Sequence, residues 1–307
     1  AGIKVWSRTT ELLKRNIFQA YNKGVSCKDI ADEHRIGVAS VERYYHQMMQ
    51  HKSSHWANRT CPRILGIDEH RFTRRQGFAT TFCDLARRRV LDVVKGRSAA
   101  DMRDFLQSLQ GRHKVKVVCI DMNSAYRRLV REWFPNARIV ADRFHVIRLV
   151  NQHFSELCKA IDEKQLAHGR GGMMRLLLTR RDRLTDSHKE RLRAYFSDRP
   201  DIESLYEFLH DTADLLRVRA QSIDSCRKYV AELLNKIDQL RKTSFAPLRT
   251  LGKTLHNWRE EVARMFRFTR NNGITEGFHR KMKLIQRRAY GFRNFENYRL
   301  RVRVLCC

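Results

Sequence analysis

The chain has 307 residues, 42% of them apolar, which allows roughly two or three domains with a sizeable core. Its 62 Lys and Arg against 33 Asp and Glu leave a formal charge of +29, which calls for a polyanion, nucleic acid first, and not for a small neutral metabolite. No apolar run reaches the length of a membrane span and no signal peptide opens the chain. The eight cysteines (Cys27, Cys61, Cys83, Cys119, Cys158, Cys226, Cys306 and Cys307) are scattered without a C-x-x-C pair, so they are expected to be buried free thiols in a reducing cytoplasm. Residue 1 is Ala rather than Met, from which an upstream part of the protein is expected.

Residues 1–60 read as helical. Leu12, Leu13, Ile17, Phe18, Ala20 and Tyr21 fall near helical spacing. Gly24 and Ser26 then break and recap the chain, a short helix passes through Ile30 and Ala31, and a turn at Ile36-Gly37 leads to a second short helix with Val38, Val41, Tyr44 and Tyr45. Helix, glycine turn and helix is the helix-turn-helix layout. Lys28 would contact DNA, and Ser40, Glu42, Arg43 and His46 would be offered to the major groove. A small helical bundle without DNA contact has the same pattern, and the charge of +29 favours DNA.

From residue 61 the pattern changes. RILGIDEH at 63–70 reads as a short strand ending in acids, and GFATTFCDL (77–85) and RVLDVV (89–94) read as a hairpin closed at Ala86-Arg87-Arg88. Ser98 with Asp101 resembles a capping box that opens a helix with Met102, Phe105, Leu106 and Leu109 on its apolar face. VKVVCID (115–121) has the apolar faces of a central strand. Asn123 or Ser124 caps a helix stopped by Pro135-Asn136, and ARIVAD (137–142) is the last strand. The order βββαβαβ predicts a mixed α/β sheet.

Residues 143–270 read as almost entirely helical, with one stripe at Leu205, Phe208, Leu209, Leu215 and Leu216 and another at Val230, Leu233, Leu234, Ile237 and Leu240. Pro200 and Pro247 separate these helices, and the stripes are expected to be packing surfaces. In the stretch 280–303, nine basic residues face one acid, Glu296, with Tyr290, Phe292, Phe295 and Tyr298 interleaved. Such a run is either a solvated helix face or a DNA contact in which Arg and Lys track phosphates while aromatic rings pack or stack on bases.

Position has to choose among 33 carboxylates. Asp68 and Asp121 each close an apolar strand, where ligands gather in open α/β sheets. Two adjacent carboxylates repel, and a divalent cation removes that cost. Oxygen ligation favours magnesium or manganese over zinc. Glu69 points to the opposite face, and Asp84, Asp92 and Asp104 are expected to be solvated acids or caps.

The order of elements, with acids after the first and fourth strands, resembles the ribonuclease H-like fold of DDE transposases and integrases. The wording is closer to the ISL-three group of bacterial insertion-sequence transposases. The motifs are GIDE (66–69), IDMNSAY (120–126), DRFHVIRL (142–149), and the NNG-x-x-EGF to RRAYGFRNFENYRLR stretch (271–301). With the helix-turn-helix they cover most of the chain.

The resemblance implies a catalytic and metal-binding trio of Asp68, Asp121 and Glu276. Two divalent cations, magnesium with manganese as substitute, would serve cleavage at transposon ends and joining of the freed 3′ hydroxyl to target DNA. It also implies double-stranded DNA as partner, a homodimer in the synaptic complex, no membrane, and a bacterial cytoplasmic, nucleoid-associated setting. Asp142 and His145 would support the metals or touch the scissile phosphate, or else be a helix cap and a packed histidine.

Lys281, Lys283, Arg287, Arg288 and Arg293 follow Glu276 and would contact DNA, and Gly291 would permit the turn that ends their helix. The corresponding domains are the helix-turn-helix at 1–60, a first part of the catalytic core at 61–150, a helical insertion at 151–270, and the catalytic helix with its basic segment at 271–307. The group's cysteine-rich zinc segment is not visible before the helix-turn-helix, and the chain stops at Cys306-Cys307, which together lead to the expectation of a truncated copy. The rival functions are a transposase remnant that binds DNA without catalysis and a nuclease that uses water alone.

Overall fold

The computed structural model describes residues 9–54, 60–166, 172–268 and 273–306. Asn271 and Asn272 of the expected NNG motif, and Cys307, lie outside the described residues. In chain order the elements are α1 (Glu11–Lys23), α2 (Cys27–His34), α3 (Val38–Ser54), β1 (Ile64–Thr73), β2 (Gly77–Asp84), β3 (Arg89–Lys95), α4 (Ala99–Ser108), β4 (Val117–Ile120), α5 (Ser124–Trp133) and β5 (Arg138–Ala141). They continue with α6 (Arg143–Ile161), α7 (Glu163–Leu166), α8 (Met173–Leu177), α9 (Asp186–Phe196), α10 (Pro200–Arg217), α11 (Ile223–Lys242), α12 (Ala246–Asn257), α13 (Arg259–Ala263), α14 (Gly273–Arg288) and α15 (Phe295–Leu305). The strands form a five-stranded sheet in the order β3-β2-β1-β4-β5, so a mixed α/β class holds. The chain divides into two compact units, residues 1–118, 128–138 and 272–307 in the first and 119–127 and 139–271 in the second.

In the first unit, α1 to α3 close on Ile17, Ile30, Ala31 and Val41. Thr10 and Ser26 cap the starts of α1 and α2 with their hydroxyls, and Gly24 ends α1 at φ 98°. The turn after α2 differs from the sequence expectation. Arg35, at φ 52°, takes the left-handed position, and Gly37 does not. The Ile36 N–H reaches back to the Ala31 carbonyl at 3.0 Å, and that closure demands a left-handed residue directly after the last turn.

Strands β1, β2 and β3 form an antiparallel meander in which Asp68 lies opposite Thr81. Asp68 therefore sits inside β1 and does not follow it, a correction to the sequence reading. The strand continues because His70 and Phe72 keep the alternation of buried residues going beyond the acids. Asp84 and Asp92 are also buried, against expectation. Asp84 accepts the Ala86 and Arg87 N–H groups in the β2–β3 turn, and Asp92 pairs with Arg299. Asp104 is exposed as expected. The Ser98–Asp101 capping box is formed.

The second unit is helical apart from strand residues of β4 and β5. Phe196, Tyr206, Leu192 and Leu176 belong to one of its apolar clusters. Pro200 and Pro247 occupy the first turns of α10 and α12, where a missing N–H costs nothing. Leu233, Ile237 and Leu240 are buried, while Leu234 is exposed and does not join its expected stripe. Gly252 in α12 lies so close to α11 that a Cβ there would stand 2.7 Å from the Arg241 backbone nitrogen. Among the described residues no helix is long and apolar enough to cross a membrane, and none of the seven described cysteines is in a disulfide.

Candidate functional site

In the second unit the chain leaves β4 at Asp121 and turns at once, with Asn123 capping α5 through the Ala125 N–H at 2.8 Å. The Asp142 N–H bonds the Ile120 carbonyl at 2.7 Å, which sets the two acids side by side. Asp142 stands at the N-cap position of α6 but makes no side-chain cap. Its carboxylate is turned instead to His145, one turn on.

His145 Nδ1 lies 2.8 Å from Asp142 Oδ2 and 2.6 Å from Asp121 Oδ1. One ring nitrogen carries one hydrogen, and both carboxylates face it. Asp142 Oδ1 is buried without a hydrogen-bond donor, and buried Asp121 Oδ1 has no donor besides that shared hydrogen. Burial opposes a charge on His145, but the hydrogen bonds and charges of Asp121 and Asp142 outweigh it and raise the imidazole to about 10. The cluster thus carries two carboxylates, one imidazolium and more acceptor oxygens than donors.

In the first unit Asp68 is almost wholly buried. Its Oδ1 accepts the Glu69 N–H at 2.8 Å, and its Oδ2 lies 3.7 Å from His279 Nδ1 of α14. His279 Nε2 is 3.2 Å from Thr81 Oγ1, which is 3.0 Å from His70 Nδ1, and His70 Nε2 is 2.8 Å from the Tyr298 hydroxyl. Burial, and then the neighbouring His279 and Lys283, lower His70 to about 3, so that ring is neutral. Sequence reading missed His279, Thr81 and His70. Two signals were present: His70 shares the strand face of Asp68 two residues on, and His279 lies one helical turn after Glu276.

Glu276 itself is exposed on α14 and pairs with Arg280 at 2.7 Å. On α2 and α3, Lys28, Arg43 and His46 are exposed, and Ser40 is half-buried and accepts a hydrogen bond from Arg43 at 3.2 Å.

Lys281, Lys283, Arg287, Arg288 and Arg293 are all exposed. Two of them are also tied down within the unit, Lys281 to the Leu305 carbonyl and Arg288 to the Asn22 carbonyl. Of the interleaved aromatics, Phe295 and Tyr298 are core residues, whereas Tyr290 is 87% exposed. The stretch after Arg288 does turn at Gly291, at φ 94°.

A family model described as transposase, DDE_Tnp_ISL3, matches residues 65–302. The transposase for insertion sequence element IS1001 of Bordetella parapertussis is 26% identical over 248 residues, covering 78% of this chain and 60% of that protein. The chain thus spans about 60% of the length of the curated relative it matches. With a match running through all five strands and both basic helices, the chain belongs to the ISL3-type family of transposases.

Proposed function

We propose that this chain is a DDE transposase that cuts and joins DNA with divalent cations, and that Asp68, Asp121 and Glu276 hold those ions. The observation that carries the reading is the excess of buried acceptor oxygens at Asp121 and Asp142 around the single hydrogen of His145 Nδ1. A buried carboxylate oxygen without a donor is costly, and a hard cation satisfies it. Asp68 and Asp121 each offer a carboxylate oxygen of the kind such an ion takes, so the acids present fit a divalent metal, with magnesium or manganese preferred by the oxygens.

Held by these acids, divalent cations would supply Lewis-acid activation of a water or 3′ hydroxyl and charge stabilisation of the leaving oxygen in an in-line displacement at phosphorus. The chain's own part is to orient carboxylates and carry DNA. His145 holds Asp142 and draws Asp121 towards it. The exposed cations Lys281, Lys283, Arg287, Arg288 and Arg293 track phosphates, and the first three helices act as a helix-turn-helix that presents Lys28, Ser40, Arg43 and His46 to duplex DNA. In this reading the catalytic core is ribonuclease H-like, residues 151–270 are its helical insertion, and the protein works as a homodimer on transposon ends and target DNA in the bacterial cytoplasm.

The test incubates the protein with DNA carrying the ends that flank its gene, with magnesium or manganese, beside Asp121→Asn and Glu276→Gln. Cleavage or strand joining seen only with metal and only in the unsubstituted protein supports the reading. Activity that survives Asp121→Asn removes Asp121 from the ligands. Salt-sensitive binding without cleavage would instead favour the DNA-binding remnant.

A further inference from the structure

We propose that His279 is a positioning residue for Asp68, its Nδ1–H aimed at that carboxylate by a relay of hydrogen bonds from Tyr298 through His70 and Thr81. The proposal rests on the reading of Asp68 as a metal ligand, and it assigns the orientation of that ligand to residues the family match does not single out.

The direction of the relay follows from its buried end. Among the described residues the Tyr298 hydroxyl meets one polar partner, His70 Nε2, at 2.8 Å, and the tyrosine is fully buried. Its hydrogen therefore goes to Nε2, because otherwise it would be stranded in the core. His70 is buried between two hydroxyls and a second imidazole. With Nε2 accepting, its hydrogen lies on Nδ1 and is donated to Thr81 Oγ1 at 3.0 Å.

Thr81 then has its own hydrogen left for His279 Nε2 at 3.2 Å. His279, accepting at Nε2, carries its hydrogen on Nδ1, which faces Asp68 Oδ2 at 3.7 Å. The reverse order would turn a ring lone pair towards an anionic oxygen. As Asp68 Oδ1 is already held by the Glu69 N–H at 2.8 Å, the carboxylate is gripped by the backbone on one oxygen and faced by an N–H dipole on the other. Partners of this kind fix the orientation of ligands in metal sites.

The experiment compares the full chain with Thr81→Val, which keeps the side-chain shape and removes the hydroxyl, with Thr81→Ser, which restores it, and with Tyr298→Phe. Nitrogen-15 NMR of histidine-labelled protein reads the tautomers without metal, and electron paramagnetic resonance reads Mn²⁺ affinity.

The expected result is a single Nδ1–H form of His279 in the unsubstituted protein, mixed tautomers in Thr81→Val and Tyr298→Phe, Mn²⁺ binding about tenfold weaker in Thr81→Val, and recovery of both in Thr81→Ser. An unchanged His279 pattern in folded Thr81→Val, or Mn²⁺ affinity within about twofold of the parent, overturns the proposal. If Thr81→Val fails to fold, Tyr298→Phe tests the relay from its other end, and an unchanged His279 pattern there overturns it equally. Asp68→Asn separates the two readings: unchanged Mn²⁺ binding in that variant overturns Asp68 as a ligand, and the tautomer spectra still judge the relay.

Discussion

Arg299→Met tests how the first unit closes its sheet. β3 is an edge strand, and an open edge invites further pairing. Here α15 covers it: the Val90 N–H donates to the Cys306 carbonyl at 2.9 Å, and Arg299 Nε and Nη2 donate to Asp92 Oδ1 and Oδ2 at 2.7 and 2.8 Å. The hydrogen bonds to Asp92 raise the guanidinium above its ordinary value, against burial. Methionine keeps most of the stem and removes every donor. Asp92, 9% exposed at its side chain, would keep the Val93 N–H at 2.8 Å and no other side-chain donor among the described residues.

Breaking a buried pair on one side costs about 3–5 kcal/mol. Arg299 is 28% exposed, so water can partly replace it, and about 2–4 kcal/mol is the expected loss. Hydrogen exchange at the Val90 amide in the full chain reads this directly, and protection should fall about 30- to 700-fold at 1.4 kcal/mol per decade. The double variant Asp92→Leu with Arg299→Met removes both charges and should recover most of the loss. Unchanged Val90 protection in Arg299→Met would refute the argument that this pair holds α15 on the edge.

Three further outcomes follow from the second unit. Gly252→Ala places a methyl against the α11 backbone, so the helices must part and the unfolding midpoint should drop by about 1–3 kcal/mol in denaturant titration. Arg143→Met leaves the Arg217, Val218 and Met265 carbonyls, now bonded at 3.3, 3.1 and 2.7 Å, without their donor, and about 2–3 kcal/mol should be lost at the C-terminal end of α10, seen as faster amide exchange there. Asp162 is held below its ordinary value by the Tyr195 hydroxyl, the Gln165 N–H and Arg199, which together outweigh burial. A lowered carboxylate contributes stability above the unfolded value near about 4 and loses it as pH falls through the folded value. Thermal midpoints should therefore decline in acid, and Asp162→Asn should flatten that decline.

The local features of the chain were legible because their chemistry lies within a few residues. The Ser98–Asp101 box, the hairpin at Ala86-Arg87-Arg88, and the prolines at the starts of α10 and α12 all depend on neighbours in sequence. So did the placing of Asp121, since an apolar run that stops at an acid before Asn123 reads as a strand end. Asp68 looked the same and was not: the alternation through His70 and Phe72 carries β1 five residues past it, to Thr73.

Sequence alone determined the charge that calls for nucleic acid, the order of strands and helices, and the motifs that mark the family, because each is a property of composition or of short-range period. Tertiary structure decided which groups meet. His279 reaches the Asp68 carboxylate and Arg299 reaches Asp92 across more than two hundred residues, and Phe295 and Tyr298 enter the core from a run that reads as a charged surface. No spacing rule links residues so far apart. Their pairing is set by how the buried faces pack, and burial is also what makes each of these contacts strong.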